Sequence, residues 1–121
     1  MLRRLLLPLA LLAAALIASS TASAKGMGTG LRGEVGPGYS IEVKNGSRDL
    51  KTIKAGTYTI KIQDKSTFHN FRLKGPGLNK STTVAFQGET SWRVKLRPGT
   101  YTYQCDPHAL AGMKGHFRVT G

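Results

Sequence analysis

Cys105 is the only cysteine among 121 residues and lies in the stretch YQCDPHALAGMKGHF, three residues before His108 and eight before Met113. A lone cysteine ordinarily acts as a small apolar filler of the core. A lone histidine on an apolar face is ordinarily a hydrogen-bonded core residue. Taken one at a time, neither implies chemistry. The set Cys-x2-His-x4-Met is different, because it gathers a thiol, an imidazole and a thioether within nine residues of chain. Pro107 and Gly112 bend the backbone there and Asp106 favours a turn, so the three side chains can converge on one point. His69, in the segment FHNF 36 residues before Cys105, would add a second imidazole from a neighbouring strand.

Thiolate and imidazole donors together select a borderline-to-soft transition metal. A trigonal set of two histidines and one cysteine with a weak axial methionine is the donor set of a blue-copper electron-transfer site. Zinc takes tetrahedral nitrogen, sulfur and oxygen donors, and methionine is not among its usual ligands. A hard cation would need clustered carboxylates, and the chain has only six acidic residues, none of them grouped here. The candidate metal ligands are therefore His69, Cys105, His108 and Met113.

An unpaired thiol raises the question of compartment. MLRR places two arginines ahead of the apolar run Leu5–Ala18, and SSTASA closes it with small residues at Ala22, Ser23 and Ala24. This is the pattern of a secretory signal cleaved after Ala24. The run is shorter than the roughly 20 residues a spanning helix needs. No cysteine stands at its end to accept a lipid, and no later run is long enough to cross a bilayer. The expected product is exported, periplasmic or extracellular, and carries 97 of the 121 residues after loss of the first 24. That length allows one domain with one modest core and no deep substrate cleft. A single cysteine forms no internal disulfide even where oxidation is allowed, and an exposed free thiol there would oxidise. Cys105 is then either buried and inert or held by something.

The 18 Lys and Arg against 6 Asp and Glu fall to 16 against 6 once Arg3 and Arg4 leave with the signal, a net charge of about +10. Such a charge fits an acidic partner or an anionic surface as well as a plain solvated exterior. No nucleic-acid-binding motif is present, and nucleic acid is not expected as a partner.

The elements that must position the donors are strands. KGMGTGLRGEVGPG, within residues 25–38, is glycine-rich without periodicity and reads as a flexible lead-in. From Tyr39 to Gly121 short alternating runs are separated by Gly, Pro, Asn and Asp. SIEVK sets Ile41 and Val43 on one face, and TYTIKI sets Tyr58, Ile60 and Ile62. HNFRL sets His69, Phe71 and Leu73 together, TVAF offers Val84 and Phe86, and WRVKL sets Trp92, Val94 and Leu96. YTYQC sets Tyr101, Tyr103 and Cys105 together, and HFRV closes with Phe117 and Val119. Period-two alternation at this spacing predicts an all-β, antiparallel β-sandwich. The shared Gly-Thr-Tyr-Thr at Gly56 and Gly99 marks two turns that each launch a strand. On this pattern His69 and Cys105 both point inward, while His116, alternating with Phe117, faces solvent. Asp106 is expected to cap its loop by bonding a backbone amide, and Trp92 to pack in the core.

PGTYTYQCDPHALAGMKGHFRV resembles the last strand, ligand loop and closing strand of a small cupredoxin of the plastocyanin and pseudoazurin type. FHNF resembles the segment that supplies that family's first histidine, and HNFRLKGPG is closer to the single-domain bacterial members than to the plant ones. The likeness runs from about Tyr39 to Thr120. It implies a Greek-key sandwich over residues 39–121, one type 1 copper ion on His69, Cys105, His108 and Met113, and a supporting role for Asn70 in fixing the ligand loop.

The resulting expectation is an exported, monomeric one-electron carrier cycling between Cu(II) and Cu(I), with a redox partner that presents an acidic docking surface. The alternative is a copper-binding module for storage or delivery, although the Met-rich or His-rich tracts such modules favour are absent. An adhesion domain with an incidental cysteine is a third class. An enzyme is not expected: the donor positions are filled, and no acid–base pair or nucleophilic triad is legible.

Overall fold

Runs in which β-branched and aromatic residues alternate with polar ones bury one face of an extended chain, and most of the described chain is built from them. The structure, a computed structural model, describes residues 30–121. The expected signal (residues 1–24), its cleavage point and the first residues of the lead-in lie outside the described residues. Ten strands follow in order: β1 (Leu31–Val35), β2 (Ile41–Asn45), β3 (Arg48–Asp49), β4 (Thr52–Lys54), β5 (Gly56–Asp64), β6 (Arg72–Gly75), β7 (Leu78–Ser81), β8 (Gly88–Leu96), β9 (Gly99–Gln104) and β10 (Lys114–Thr120). A 3₁₀ helix, Asp106–Ala111, joins the last two. Among the described residues no helix is long and apolar enough to cross a membrane.

Two five-stranded sheets form, ordered β3-β2-β1-β5-β8 and β4-β10-β9-β6-β7. Their inner faces enclose one core, in which Ile60, Ile62, Phe71, Leu73, Trp92, Val94, Tyr101, Phe117 and Val119 are buried. Stacked rings cross it: Tyr101 lies on Phe117 with centroids 5.4 Å apart, and Tyr103 lies on Phe71 at 6.3 Å. The Tyr101 hydroxyl is satisfied at the core's edge, donating to the Pro76 carbonyl and accepting from the Arg97 N–H, both at 2.9 Å. The two Gly-Thr-Tyr-Thr segments open β5 and β9, as their turn residues imply.

Three expectations are corrected. The sheets are mixed: β1 runs parallel to β5 and β4 parallel to β10, while the other pairs are antiparallel. Alternation reports which residues are half-buried and carries no information on the direction of the neighbouring strand. The glycine-rich lead-in contains β1, which lies between β2 and β5 in the first sheet. Leu31, Gly33 and Val35 face inward. Gly33 weakens the pattern in the sequence because its inward position carries no side chain. In the fold that space is taken: a Cβ there would lie 2.6 Å from the Phe71 ring and 2.9 Å from Ile62. The segment TVAF is a loop between β7 and β8, with Val84 in a turn and exposed. Two apolar residues do not make a strand when no neighbouring chain offers them hydrogen bonds.

Candidate metal centre

Four chain segments meet at one end of the sandwich. The strand β9 ends at Gln104, and Cys105 follows it with extended backbone (φ −94°, ψ 116°) that directs its side chain into the core. The 3₁₀ helix follows, with Pro107 in its first turn, and carries His108. Gly112 ends the helix in the left-handed region at φ 99°, where a side chain would be strained. The helix returns the chain to β10, so the loop is closed by backbone bonds: Cys105 N–H donates to the Met113 carbonyl at 3.0 Å, and Met113 N–H donates to the His108 carbonyl at 3.2 Å. Met113 is buried.

His69 comes from the segment just before β6 and is 3% exposed. Thr82 fixes that segment, since its hydroxyl accepts from the Phe71 N–H and its own N–H donates to the Phe71 carbonyl, both at 2.9 Å. The β1–β2 loop presses on the far side of the ring. Gly36 lies there at φ 73°, and a Cβ would come within 2.9 Å of His69 Cδ2.

The structure brings His69, Cys105 and His108 together. Cys105 Sγ lies 3.6 Å from His69 Nδ1 and 3.5 Å from His108 Nδ1, and the two nitrogens are 3.0 Å apart. Both imidazoles turn the same nitrogen inward, and Cys105 is fully buried. The point equidistant from three atoms at these separations lies about 2.0 Å from each, the length of a metal–imidazole bond. Two soft-to-borderline donor types aimed at a single point at bonding distance fit a transition-metal ion of the copper kind. Among the described residues these three form the one group of His, Cys, Asp and Glu side chains close enough to hold an ion. His116, expected at the surface, is exposed on β10 and outside that group.

A polar network holds the loop from outside. Asn70 is buried beside His69. Its Nδ2 donates to Asp106 Oδ2 at 2.9 Å and to the Thr82 carbonyl at 3.3 Å, and its Oδ1 accepts from the Asp106 N–H at 2.7 Å. The Asp106 carboxylate also accepts from Arg72 Nε and a terminal Arg72 nitrogen at 2.9 Å, and from Gln104 Nε2 at 2.9 Å. The carboxylate thus accepts from four side-chain nitrogens and from no backbone amide, so the expected cap does not form; its oxygens are turned to Arg72, Gln104 and Asn70 instead. The Arg72 guanidinium, aided by Gln104 and Asn70, holds its carboxyl well below the usual carboxylate range despite partial burial. The same contact raises the pKa of Arg72.

Sequence reasoning missed two neighbours of the site. Arg72 carried only the signal of an outward strand position. Tyr39, 75% exposed, sets its ring edge-on to both imidazoles, with centroids 5.7 Å from His69 and 4.9 Å from His108. Nothing local in the sequence marks that contact, since it spans the whole sandwich end.

The comparisons with known proteins agree with this geometry. The family of copper binding proteins, plastocyanin/azurin family, matches residues 40–120, which include all four expected donors. Amicyanin-alpha of Methylorubrum extorquens is 34% identical over 110 residues, spanning 85% of this chain and 91% of that protein. Reduced rusticyanin has a TM-score of 0.56 at 26% identity, over 75% of this chain and 78% of that one. Auracyanin from Roseiflexus castenholzii shares the fold at 20% identity, with a TM-score of 0.54 over 79% of this chain and 100% of that one. With copper as its cofactor, this chain belongs to the plastocyanin/azurin family of copper-binding proteins, the small cupredoxins.

Proposed function

We propose that the protein is an exported one-electron carrier whose copper is held by His69 Nδ1, Cys105 Sγ and His108 Nδ1, with the Met113 thioether as a weak fourth donor and Asn70 fixing the loop. The observation that carries this reading is the convergence of the three donor atoms, 3.0 to 3.6 Å apart, in a pocket that the fold has already closed. Copper supplies the couple between Cu(II) and Cu(I). Cys105 binds as the thiolate, having lost its proton, and each imidazole binds through its unprotonated Nδ1. The loop is clamped by the Cys105–Met113 and Met113–His108 backbone bonds and by the network of Asn70, Asp106 and Arg72, so its donors keep their places when the charge at the site changes. Burial of Cys105 and His69 excludes water. Such a closed donor set supports a carrier over a catalyst, which would keep a position open for substrate. A relative described in its reduced state, rusticyanin, supports redox cycling.

His108 is half-buried and its loop carries Leu110, whose side chain is fully exposed, between Ala109 and Ala111. This small uncharged patch suits brief close contact with a redox partner. The net charge steers an acidic partner towards it. Residues 1–24 are the export signal, cleaved after Ala24, and the remainder acts as a monomeric cupredoxin domain that includes β1.

Adding Cu(II) to the mature protein is expected to produce an intense visible thiolate-to-copper band, and Cys105→Ser to abolish it while the fold survives. A wild-type Cu(II) complex without colour would refute the assignment. Copper storage or delivery is the second reading, and rapid copper exchange without a reversible redox couple would favour it.

A further inference from the structure

Charge is divided unevenly between the two broad faces of the sandwich. Of the six acidic residues, Glu34, Glu42, Asp49 and Glu89 stand on strands of the first sheet, and Asp64 is buried at the end of β5. Three ion-paired carboxylates neutralise much of that sheet's outer face: Glu34 with Arg32 at 3.2 Å and Lys65 at 3.6 Å, Glu42 with Lys44 at 3.5 Å, and Glu89 with Lys61 at 3.3 Å. The strands of the second sheet carry no acidic residue; Asp106, on the connection between β9 and β10, is occupied by Arg72.

The registers place the cations of β4, β6 and β10 on the outer face of the second sheet; Lys80 of β7, opposite buried Leu73, lies over the Trp92 ring instead. Arg72, Gln104 and Lys114 form one row across β6, β9 and β10, and Lys74, Thr102 and His116 form the next. Arg118 follows beside Thr52, with Lys54 one step on. Lys54, Lys74, Lys114 and Arg118 are exposed, and among the described residues none makes an ion pair. Glu42 and Asp49 line an open cleft with Thr100 and Tyr103 of β9 and His116 and Arg118 of β10, and neither forms an ion pair with Arg118. The row nearest the metal centre is built from Gln104 and Lys114, the residues next to Cys105 and Met113.

We propose that the outer face of the second sheet, centred on Lys74, Lys114 and Arg118, is the docking surface for an acidic protein, and that it sets the orientation in which that protein meets the copper end. The purpose given to the surface rests on the carrier reading above; the surface itself rests on the charge distribution. A flat face of unpaired cations among threonine and glutamine hydrogen-bond donors fits carboxylates displayed on a folded partner. A lipid surface fits it less well, because interfacial binding joins cations to apolar side chains that insert. The large exposed apolar residues among those described, Tyr39, Phe68, Val84 and Leu110, lie on loops or on the 3₁₀ helix and not on the strands of this face. Nor does the face offer aromatic rings on which nucleic-acid bases would stack.

The test uses the copper-loaded, reduced protein, labelled with ¹⁵N and titrated at low salt with poly-L-glutamate as the acidic probe. Amide shifts are expected to concentrate at Lys74, Thr102, Lys114, His116 and Arg118. The double variant Lys74→Glu with Lys114→Glu should bind about tenfold more weakly. Arg93→Glu with Lys95→Glu makes the same change in net charge on the outer face of the first sheet and should lose far less. Equal losses in the two pairs, or shifts spread over both faces, would overturn the proposal and leave only overall charge. Tighter capture by phosphatidylcholine vesicles containing phosphatidylglycerol, lost in the Lys74 and Lys114 pair, would overturn it in favour of a lipid surface. Voltammetry of the same samples separates the two readings: a reversible couple in all variants leaves the carrier standing whatever the face does, and its absence from the wild type undoes the carrier alone.

Discussion

Asn70→Ala removes the hinge of the network that holds the ligand loop, and its cost can be worked from the bonds lost. Three hydrogen bonds disappear: Nδ2 to the Asp106 carboxylate at 2.9 Å, Nδ2 to the Thr82 carbonyl at 3.3 Å, and the Asp106 N–H to Oδ1 at 2.7 Å. The Asp106 carboxylate keeps Arg72 and Gln104, so its loss is small. The Asp106 N–H and the Thr82 carbonyl lose these partners, at about 1–3 kcal/mol for each polar group left unsatisfied. The sum is about 2–4 kcal/mol, because water reaches part of the Asp106 side. For a domain of this size each kcal/mol moves the melting temperature by about 4–8 °C, so Asn70→Ala should lower it by about 8–32 °C in thermal unfolding followed by circular dichroism. Asn79→Ala is the control: Asn79 Oδ1 accepts from the same Arg72 guanidinium at 2.8 Å but at an exposed position, where surface changes stay within about 0.5 kcal/mol. With copper present, Asn70→Ala should keep the visible band, since no donor atom is removed, yet gain less stability from the metal because the loop must be ordered on binding. A melting temperature within the Asn79→Ala shift would show that Asn70 does not hold the loop.

Copper should raise the melting temperature by mass action, by about 2.7 kcal/mol at a free concentration 100-fold above Kd; His69→Ala should forfeit most of that gain and His116→Ala almost none, and equal losses would exclude His69 as the chosen donor. Gly33→Ala forces a Cβ to within 2.6 Å of the Phe71 ring and should cost about 1–3 kcal/mol by overpacking, whereas Gly30→Ala, which meets nothing within 4 Å, should be silent in the same melt; a silent Gly33→Ala would mean that β1 does not pack there. Asp64 is buried with Oδ2 unpartnered while Oδ1 accepts from the Ser66 N–H, and burial raises its pKa. Its charge therefore opposes folding above the raised folded-state pKa, and the penalty fades as pH falls from there towards the ordinary carboxylate value of about 3.9. In the copper-free protein Asp64→Asn should melt higher than wild type at pH 7, with the difference shrinking as pH falls through that window, and a difference independent of pH would refute the assignment.

Much of the molecule is legible in its residues because the relevant physics is local. Alternation in SIEVK, TYTIKI, WRVKL and YTYQC marks half-buried strands whatever they pair with, and these segments became β2, β5, β8 and β9. Pro107 and Gly112 announce a tight loop between Cys105 and Met113, and donor softness names the class of metal before any distance is known. Other features depend on what lies across the sandwich. A glycine at position 33 looks like looseness until Phe71 and Ile62 fill the space above it, and TVAF looks like a strand until no edge is there to pair with it. Strand direction followed the same rule, since β1 and β5 are parallel only by virtue of where the intervening chain crosses. The contacts of Tyr39 with both imidazoles and the grip of Arg72 and Asn70 on Asp106 join residues 30 or more positions apart. The approach of His69 to within 3.6 Å of Cys105 Sγ is the same kind of fact. Residue type sets which atoms could bind, but a bond of about 2 Å requires positions that only the packing of two sheets supplies, because each strand's place is decided by its neighbours and not by its own side chains.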